Sequence, residues 1–512
     1  MRHSCIKIAL LTALTVCLSA MVPSCKGPDV NVPETGCWYT AKFEGKQYFV
    51  NFESFSADDG TASGVYYVAV SDTSAARHDF SAEFGRRRLT LDTDGVSRRM
   101  KLAKLPFSRY EAPVFTMADT SMFRTPFCEV KLTEDIPYAN ARGYWSSLPG
   151  VEADVSKAFT QGYVKSFLHK DLELRMDLYQ PEGLEGKRPL ILFMHGGAFY
   201  VGDKQEPAYR DFCRHFASMG YITASINYRM GFHLGKGEIE RAGYVALQDA
   251  HAAMRFLVSH ADEYGIDTEQ IFVAGSSAGS ITALNLAFMT EKDRPESSHG
   301  GKGLFNGNDL GPIDGSGNDI KVKFHIKAIA NMWGAVSNPE IIHNSRTDIV
   351  SFHGDADNVV PYAEGYPFSS AGEAISHLLS DKMYGSVCID STARACGLRS
   401  RMYSFAGEGH ALNTTGKEKT PNANHSRIKI KMADFFFTEI MPVQARIIRE
   451  APGRYSVSGK VESASWDVEG GFVLSHDRKG VQVLWMEDAP IHRLTVSGTY
   501  PNGVGYCKSK AL

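Results

Sequence analysis

The spacing of apolar residues changes rhythm three times along this chain. Between residues 38 and 104 apolar side chains come in short runs: Tyr48-Phe49-Val50-Asn51-Phe52, Val65-Tyr66-Tyr67-Val68-Ala69-Val70 and Arg88-Leu89-Thr90-Leu91. Asp58-Asp59-Gly60 and Asp94-Gly95 punctuate them. Strand-forming runs broken by turn residues predict an antiparallel β unit. Prolines and weak periodicity between 104 and 149 read as further strands and a connector. From about 158 to 441 buried runs alternate with helical periods, as a mostly parallel sheet covered on both faces requires. Residues 190–194 predict a buried strand. Tyr209, Phe212, Cys213 and Phe216 follow at the i, i+3, i+4, i+7 spacing of one helical face, stopped by Gly220. Residues 222–226 and 271–274 predict further strands, and Leu247, Ala250, Met254, Leu257, Val258 and Ala261 a helix ending at Gly265. Beyond 440, short β runs return at 455–458, 471–474, 481–485 and 493–496.

On this reading the 512 residues divide into a leader over 1–25, a β domain with connector over 26–150, a strand–helix domain over 151–445 and a C-terminal β region over 446–512. The C-terminal region has few strands and a size at which an independent core is marginal. Its strands and those before 104 are therefore expected to share one β barrel or sandwich. Two unrelated β modules are the alternative.

Charge and cysteine usage narrow the setting. Arg2 and Lys7 precede an apolar stretch over 8–22, with Pro23 and Ser24 after it, the outline of a secretory signal peptide. Val22-Pro23-Ser24-Cys25 resembles a loose bacterial lipobox, which implies lipidation of Cys25 and an exported chain anchored in a membrane. Ordinary cleavage nearby, giving a periplasmic or secreted protein, is the alternative. A net charge of -3 without long runs of one sign leaves no electrostatic footprint for nucleic acid, or for a membrane surface beyond such an anchor. Nine cysteines are too few for a dense disulfide framework in this length, and metal-type spacing is absent. Cys213, Cys388 and Cys396 fall in helical patterns and read as small core residues, whereas Cys37, Cys128 and Cys507 in the β-rich flanks leave room for one disulfide. A Gly-, Asn- and Asp-rich stretch over 299–319 lacks the repeat spacing of a calcium site and reads as a solvated loop.

The strongest chemical signal is Gly275-Ser276-Ser277-Ala278-Gly279, directly after the strand at 271–274 and before a helical stretch. A serine on a strained strand-to-helix turn needs glycines two residues away on each side, where a side chain would strike neighbouring backbone. Only Ser277 meets that condition; Ser276 and Ser280 do not. His195-Gly196-Gly197-Ala198-Phe199 follows the strand at 190–194 and reads as an oxyanion loop, its glycines admitting close approach of backbone donors. Gly197 and Ala278 are the expected N–H donors, assisted by Gly196 or Ala198. His195 reads as a structural hydrogen-bonding residue.

With these residues the stretch over 162–441 resembles the α/β-hydrolase superfamily, and within it carboxylesterases, hormone-sensitive-lipase-like esterases and bacterial acetyl-xylan or feruloyl esterases. The resemblance implies an α/β-hydrolase fold flanked by the two β regions, and a chain order of serine, acid, histidine. Ser351-Phe352-His353-Gly354-Asp355-Ala356-Asp357-Asn358-Val359-Val360-Pro361 is similar to the family's H-G-x-x-D-x-x-V-P loop and makes Asp357 the acid, with Asp355 its rival and His353 a packing residue. The strand at 401–405 leads into Ala406-Gly407-Glu408-Gly409-His410-Ala411, so His410 fits the general base; His425 lies too far into the last helix. Ser277, Asp357 and His410 then imply acyl transfer on a small-molecule or carbohydrate ester, acetyl or feruloyl by resemblance, with no cofactor or metal. Trp333 reads equally as a pocket wall or a core residue. A secreted peptidase of the prolyl-oligopeptidase kind is the alternative enzyme, weakened by Ala198 and Ser280 where those peptidases carry proline and glycine. A non-catalytic binding protein on a hydrolase scaffold is the alternative from another class.

Overall fold

A computed structural model describes residues 33–104, 122–143, 170–300, 308–441 and 444–512, apart from 36, 86–87, 94–95, 233–234, 236 and 417–418. The leader and Cys25 lie outside the described residues. The chain forms two compact units: 115–442 with 502–504, and the two flanks, up to 114 and 443–501 with 505–512. Among the described residues no helix is long and apolar enough to cross a membrane.

The central unit is built on eight strands: β1 Val130–Gly143, β2 Lys170–Pro181, β3 Arg188–Met194, β4 Ile222–Ile226, β5 Ile266–Ser276, β6 Ala328–Met332, β7 Asp348–Gly354 and β8 Ser400–Phe405. Their order is β8-β7-β6-β5-β3-β4-β2-β1. From β4 to β8 all pairings are parallel, while β1 and β2 run antiparallel at one edge. β4 and β6 are buried at every position, and β3 and β7 at all but their first, as strands covered on both faces must be. The covering helices are α1 Pro207–Ala217, α2 Glu238–Ser259, α3 Ala278–Phe288, α4 Ser386–Ala395 and α5 Ala423–Ile440. α1 starts with proline in its first turn, buries Tyr209, Phe212, Cys213 and Phe216, and gives way to Gly220 at φ +99°. α2 begins about two turns before its apolar period becomes legible, because Glu238 and Glu240 occupy its first turn and Ala242 and Gly243 follow.

One expectation is refined and two need correction. The loop at 308–319 is solvated along much of its length but also stapled: buried Arg255 of α2 donates to Asp314 Oδ1 at 2.6 Å and to the Ser316 carbonyl at 3.0 Å, while Gln248 reaches the Leu310 and Pro312 carbonyls. Cys388 and Cys396 are half-buried at α4 rather than core residues, because only one face of that helix packs; Cys213 is buried. Cys37, Cys128 and Cys507 are free thiols, not a disulfide.

The flanking unit weaves both ends of the chain into one sheet. N-terminal strands from Trp38–Phe43 to Ala103–Lys104 join Arg446–Ala451, Arg454–Ser458, Gly471–His476 and Gly480–Met486 in eleven strands. The junction pairs Trp485 with Ser74 and Met486 with Ala75, in parallel rather than antiparallel register. Among the described residues the sheet ends at Arg446–Ala451 and Ala103–Lys104, so it is an open sheet and not a closed barrel. Ser465–Glu469, Arg493–Thr499 and Gly505–Ala511 form a separate three-stranded sheet. Seven strands follow Ile440, not four. The three missed, Arg446–Ala451, Ser465–Glu469 and Gly505–Ala511, are all edges with few buried side chains, which carry little apolar signal.

Phe472 fastens the two ends together. Its ring stacks on Phe49 at 4.0 Å and meets Trp38 edge-on at 5.0 Å. Truncating such a buried aromatic to alanine costs about 3 kcal/mol or more. Phe472→Ala is therefore expected to lower the melting transition of the flanking unit and expose the N-terminal strands to protease. An unchanged transition and digestion pattern would show that this stack is not the joint.

Candidate active site

The site lies at the carboxyl ends of β3, β5, β7 and β8, where the strand order reverses: β3 is followed by β4 on one side and β5 on the other. Such a reversal leaves a crevice outside the sheet. Ser277 stands between β5 and α3 at φ +53°, ψ -123°, a conformation that costs strain in any residue but glycine. The turn is held by backbone contacts that leave no room for a side chain. A Cβ on Gly275 would collide with the Gly279 carbonyl, and one on Gly279 with the carbonyls of Met194 and His195. The Ser277 N–H donates to the Met332 carbonyl at 2.9 Å, fixing the elbow to β6. The two neighbouring serines are committed elsewhere: Ser276 Oγ to the Tyr209 hydroxyl at 2.5 Å, and Ser280 Oγ, fully buried, to Asn331 Oδ1 at 2.6 Å.

The loop after β3 turns back on itself through Gly197 at φ +117° and Ala198 at φ +54°. Its Gly197 carbonyl accepts from the N–H groups of Tyr200 and Val201. Gly196 has to be removed from the candidate donors, since its N–H is spent on the Tyr209 hydroxyl at 3.0 Å. Ala198 and Ala278 line the cavity beside Ser277. His195 is buried, with Nδ1 against the Gly196 carbonyl at 2.7 Å and its ring stacked on Tyr228 at 4.3 Å. Burial pushes its imidazole down to about 4, with the neighbouring Lys419 charge adding to the shift. It is a neutral structural group.

Ser277, His410 and Asp357 meet in one line of hydrogen bonds. Ser277 Oγ donates to His410 Nε2 at 2.9 Å, and His410 Nδ1 donates to Asp357 Oδ2 at 2.7 Å. The Asp357 side chain is fully buried, and its Oδ1 accepts from the N–H groups of Val359 at 2.8 Å and Val360 at 3.0 Å. Burial raises the carboxyl, but hydrogen bonds from His353 and His410 outweigh it and hold the group well below the usual carboxylate range. Asp355 does not enter this line. Its Oδ1 accepts from the Gly407 N–H at 2.7 Å and ties the acid loop to the loop that carries His410. His425 is buried in α5 and bonds Asp211 at 2.8 Å. Trp333 is 1% exposed, a core residue whose ring stands edge-on to His410 at 6.5 Å. His353 contradicts the packing expectation: its Nε2 lies 3.2 Å from Asp357 Oδ2. Tyr209 is a second residue that motif reading passed over, because it belongs to a helix face and not to any of the three loops.

A cavity of about 490 Å³ opens at Ser277. Phe199, Ile281, Met289 and Phe368 give it apolar walls, and Glu240 and Lys292 stand among its polar lining. Further walls come from the stretches 292–296, 337–341 and 367–383, whose sequence carries no motif.

With this geometry in place, comparison with known proteins is informative. The BD-FAE family model matches residues 176–338, from β2 through the elbow to the loop after β6. This unit has an α/β-hydrolase fold. Gut esterase 1 of Caenorhabditis elegans is 32% identical over 115 residues, 22% of this chain and 20% of its own. Para-nitrobenzyl esterase of Bacillus subtilis is 29% identical over 120 residues, 23% of this chain and 24% of its own. Esterase LipI of Mycobacterium tuberculosis is 33% identical over 104 residues, 20% of this chain and 30% of its own. The chain thus spans between a fifth and a third of the length of these relatives. Among solved structures, Thermogutta terrifontis esterase 2 phosphorylated by paraoxon is 20% identical with a TM-score of 0.38, covering 52% of this chain and 90% of that one.

Fully buried His195 and half-buried His215 favour their neutral forms in the folded unit, which predicts acid sensitivity. His195 and His215 are both held down to about 4 by burial, against 6.5 in the unfolded chain. Between those values the unfolded state binds more protons, so stability is full above about pH 6.5 and is lost as pH falls towards 4. For fully buried His195 the loss is on the order of 3 kcal/mol. His195→Asn is expected to flatten the fall of melting temperature between pH 7 and pH 4. An equally steep fall in the variant would show that His195 is not a source of it.

Proposed function

We propose that this protein is a serine hydrolase of carboxylic esters, with Ser277 as nucleophile, His410 as general base and Asp357 as the acid that orients it. The observation that carries the reading is the line of hydrogen bonds from Ser277 through His410 to buried Asp357, opening on a cavity of about 490 Å³. His410 Nε2 takes the Ser277 proton as Oγ bonds to the ester carbonyl carbon. Asp357 keeps the other ring proton on Nδ1 and stabilises the imidazolium that forms. The negative charge on the former carbonyl oxygen falls to the backbone N–H groups of Ala278 and of Gly197 or Ala198. His410 then returns its proton to the departing alcohol, and water, activated by the same base, releases the acid and restores Ser277.

The finer reading is an acetyl or feruloyl ester of carbohydrate, taken from the resemblance of the motif loops to esterases acting on such substrates. Mixed apolar walls and charged lining suit a substrate with an apolar part and a hydroxyl-rich part. Export with a lipid anchor at Cys25 belongs to the same proposal and rests on the N-terminal pattern. Mass spectrometry of the mature N-terminus tests it: an acylated Cys25 supports the anchor, and an unmodified new terminus past Cys25 removes it.

Ser277→Ala is expected to reduce hydrolysis of p-nitrophenyl acetate or butyrate by at least about 10³-fold with the fold intact. A fluorophosphonate probe should label Ser277 and leave Ser276 and Ser280 unmodified. Ordinary turnover in the variant, or labelling elsewhere, would overturn the assignment. Activity should also fall on the acid side of neutrality, as protonation removes the histidine base. A rate unchanged down to about pH 4, far below the imidazole reference value, would contradict it.

A further inference from the structure

Beneath the nucleophile lies a buried polar network that the triad alone does not require. Asn331, Ser351, Ser386, Ser280 and His353 are all fully buried, on elements that otherwise pack through apolar side chains. Burying this many polar groups is tolerable only if each finds a partner, so the donors and acceptors can be assigned in order. Asn331 Oδ1 faces the Gly334 N–H at 2.9 Å, which can only donate, so that atom is the amide oxygen. Asn331 Nδ2 therefore spends its two protons on Ser351 Oγ and Ser386 Oγ, each at 3.0 Å. Ser386 Oγ already accepts from Asn331, and its own proton is free for His353 Nδ1 at 2.7 Å. That leaves the ring proton of His353 on Nε2, which faces Asp357 Oδ2 at 3.2 Å and the Val360 carbonyl at 3.3 Å. Both are acceptors. The opposite tautomer would point a lone pair at a carboxylate and a carbonyl, so two independent ends of the network agree.

We infer that His353 is a positioning residue: through the network Ser280–Asn331–Ser386–His353 it holds the Asp357 carboxylate in the orientation from which Oδ2 grips His410. This rests on the proposed roles of Ser277, Asp357 and His410. Each oxygen of Asp357 then has two donors, Val359 and Val360 on Oδ1, His410 and His353 on Oδ2. With His353 removed, Oδ2 keeps only the His410 proton, and the carboxylate is held chiefly through Oδ1, so the direction of Oδ2 towards His410 is less tightly set. His410 loses alignment more than substrate loses binding, because His353 is fully buried and does not line the cavity.

The amide side chains separate positioning from packing. His353→Gln can keep a donor near the place of Nε2, whereas His353→Asn reaches only the place of Nδ1 and leaves Asp357 without its fourth partner. The experiment compares the rate of fluorophosphonate labelling at Ser277, and kcat and KM for p-nitrophenyl butyrate, in the full chain and both variants, with melting temperatures recorded. His353→Asn is expected to lower kcat and the labelling rate by about ten-fold or more, the scale of one lost hydrogen bond to a charged group, at unchanged KM. His353→Gln should restore most of the loss. Equal rates in all three overturn the inference while leaving the esterase reading intact, and so does a loss of equal size in both variants. No labelling of the unaltered protein overturns both. If His353→Asn does not fold, Ser386→Ala carries the test, since it removes the hydroxyl that anchors His353 Nδ1 and holds the ring against Asp357: slower labelling at unchanged KM supports the inference, and an unchanged rate overturns it.

Discussion

The active-site geometry depends on how closely backbone meets backbone where β3 and β5 end. Gly279 lies against the carbonyls of Met194 and His195, and Gly275 against Gly279 itself, at separations that no Cβ can enter. These contacts bring the turn after β5 beside the turn after β3, and so put Ser277 next to Ala198 in the crevice opened by the reversal of strand order. The strain at Ser277 is sustained because its surroundings over-determine it: β6 accepts its N–H, and α3 begins at the next residue. A loosened elbow would displace the proposed nucleophile and its nearest backbone N–H groups together.

The acid arm follows a different logic. A buried carboxylate is costly, and Asp357 remains ionised because four donors surround it. Two of those donors belong to its own loop and two are histidines with separate anchors. Asp355 and the Ala356 N–H tie the same loop to Gly407 and Glu408, so the loops that carry Asp357 and His410 are joined directly. Elsewhere in the unit, buried charges serve architecture. Arg229 grips Asp249 through Nε and Nη2, and Lys204 bonds fully buried Asp177 at 2.5 Å, linking the antiparallel edge strands to the helical layer. Removing one member of such a pair would strand the other charge, a loss of stability that needs no catalytic role.

Much of this was legible in the sequence, and the reasons are specific. β4 is found at residues 222–226 as read, because a strand buried at all five positions bounded by glycine and a polar turn has few other interpretations. Ser277, Asp357 and His410 each follow a strand and sit in short glycine-bearing loops, so motif and context could be checked against each other. Gly196 looked equivalent to its neighbours until Tyr209 was seen to occupy its N–H. His353 was misread because its spacing of four from Asp357 says nothing of direction, and its meaning comes from Ser386 and Asn331, distant in sequence. The cavity walls at 292–296 and 367–383 carry no motif to read. Edge strands such as Gly505–Ala511 escaped because one partner and a solvated face leave alternation only partly apolar.

The flanking unit shows how far a chain can defer its own closure. Tyr67 donates to Asp488 across 421 residues of sequence, and beside that bond the two ends share a ladder and an aromatic cluster. The entropy of closing so long a loop grows only with the logarithm of its length, so separation adds little to the cost of the finished sheet. What it does affect is order. The N-terminal strands are made first and their Ser74–Gly85 edge has no parallel partner until Gly480–Met486 exists, whereas every strand of the hydrolase sheet lies between them in sequence. An unpaired edge is a liability while it waits. The exposed positions of that strand carry Arg77 and Asp79, charges that blunt pairing with other chains without preventing the short parallel register that finally covers its start. Charge along the waiting edge and apolar rings beneath it thus divide the work of preventing wrong closure and completing the right one.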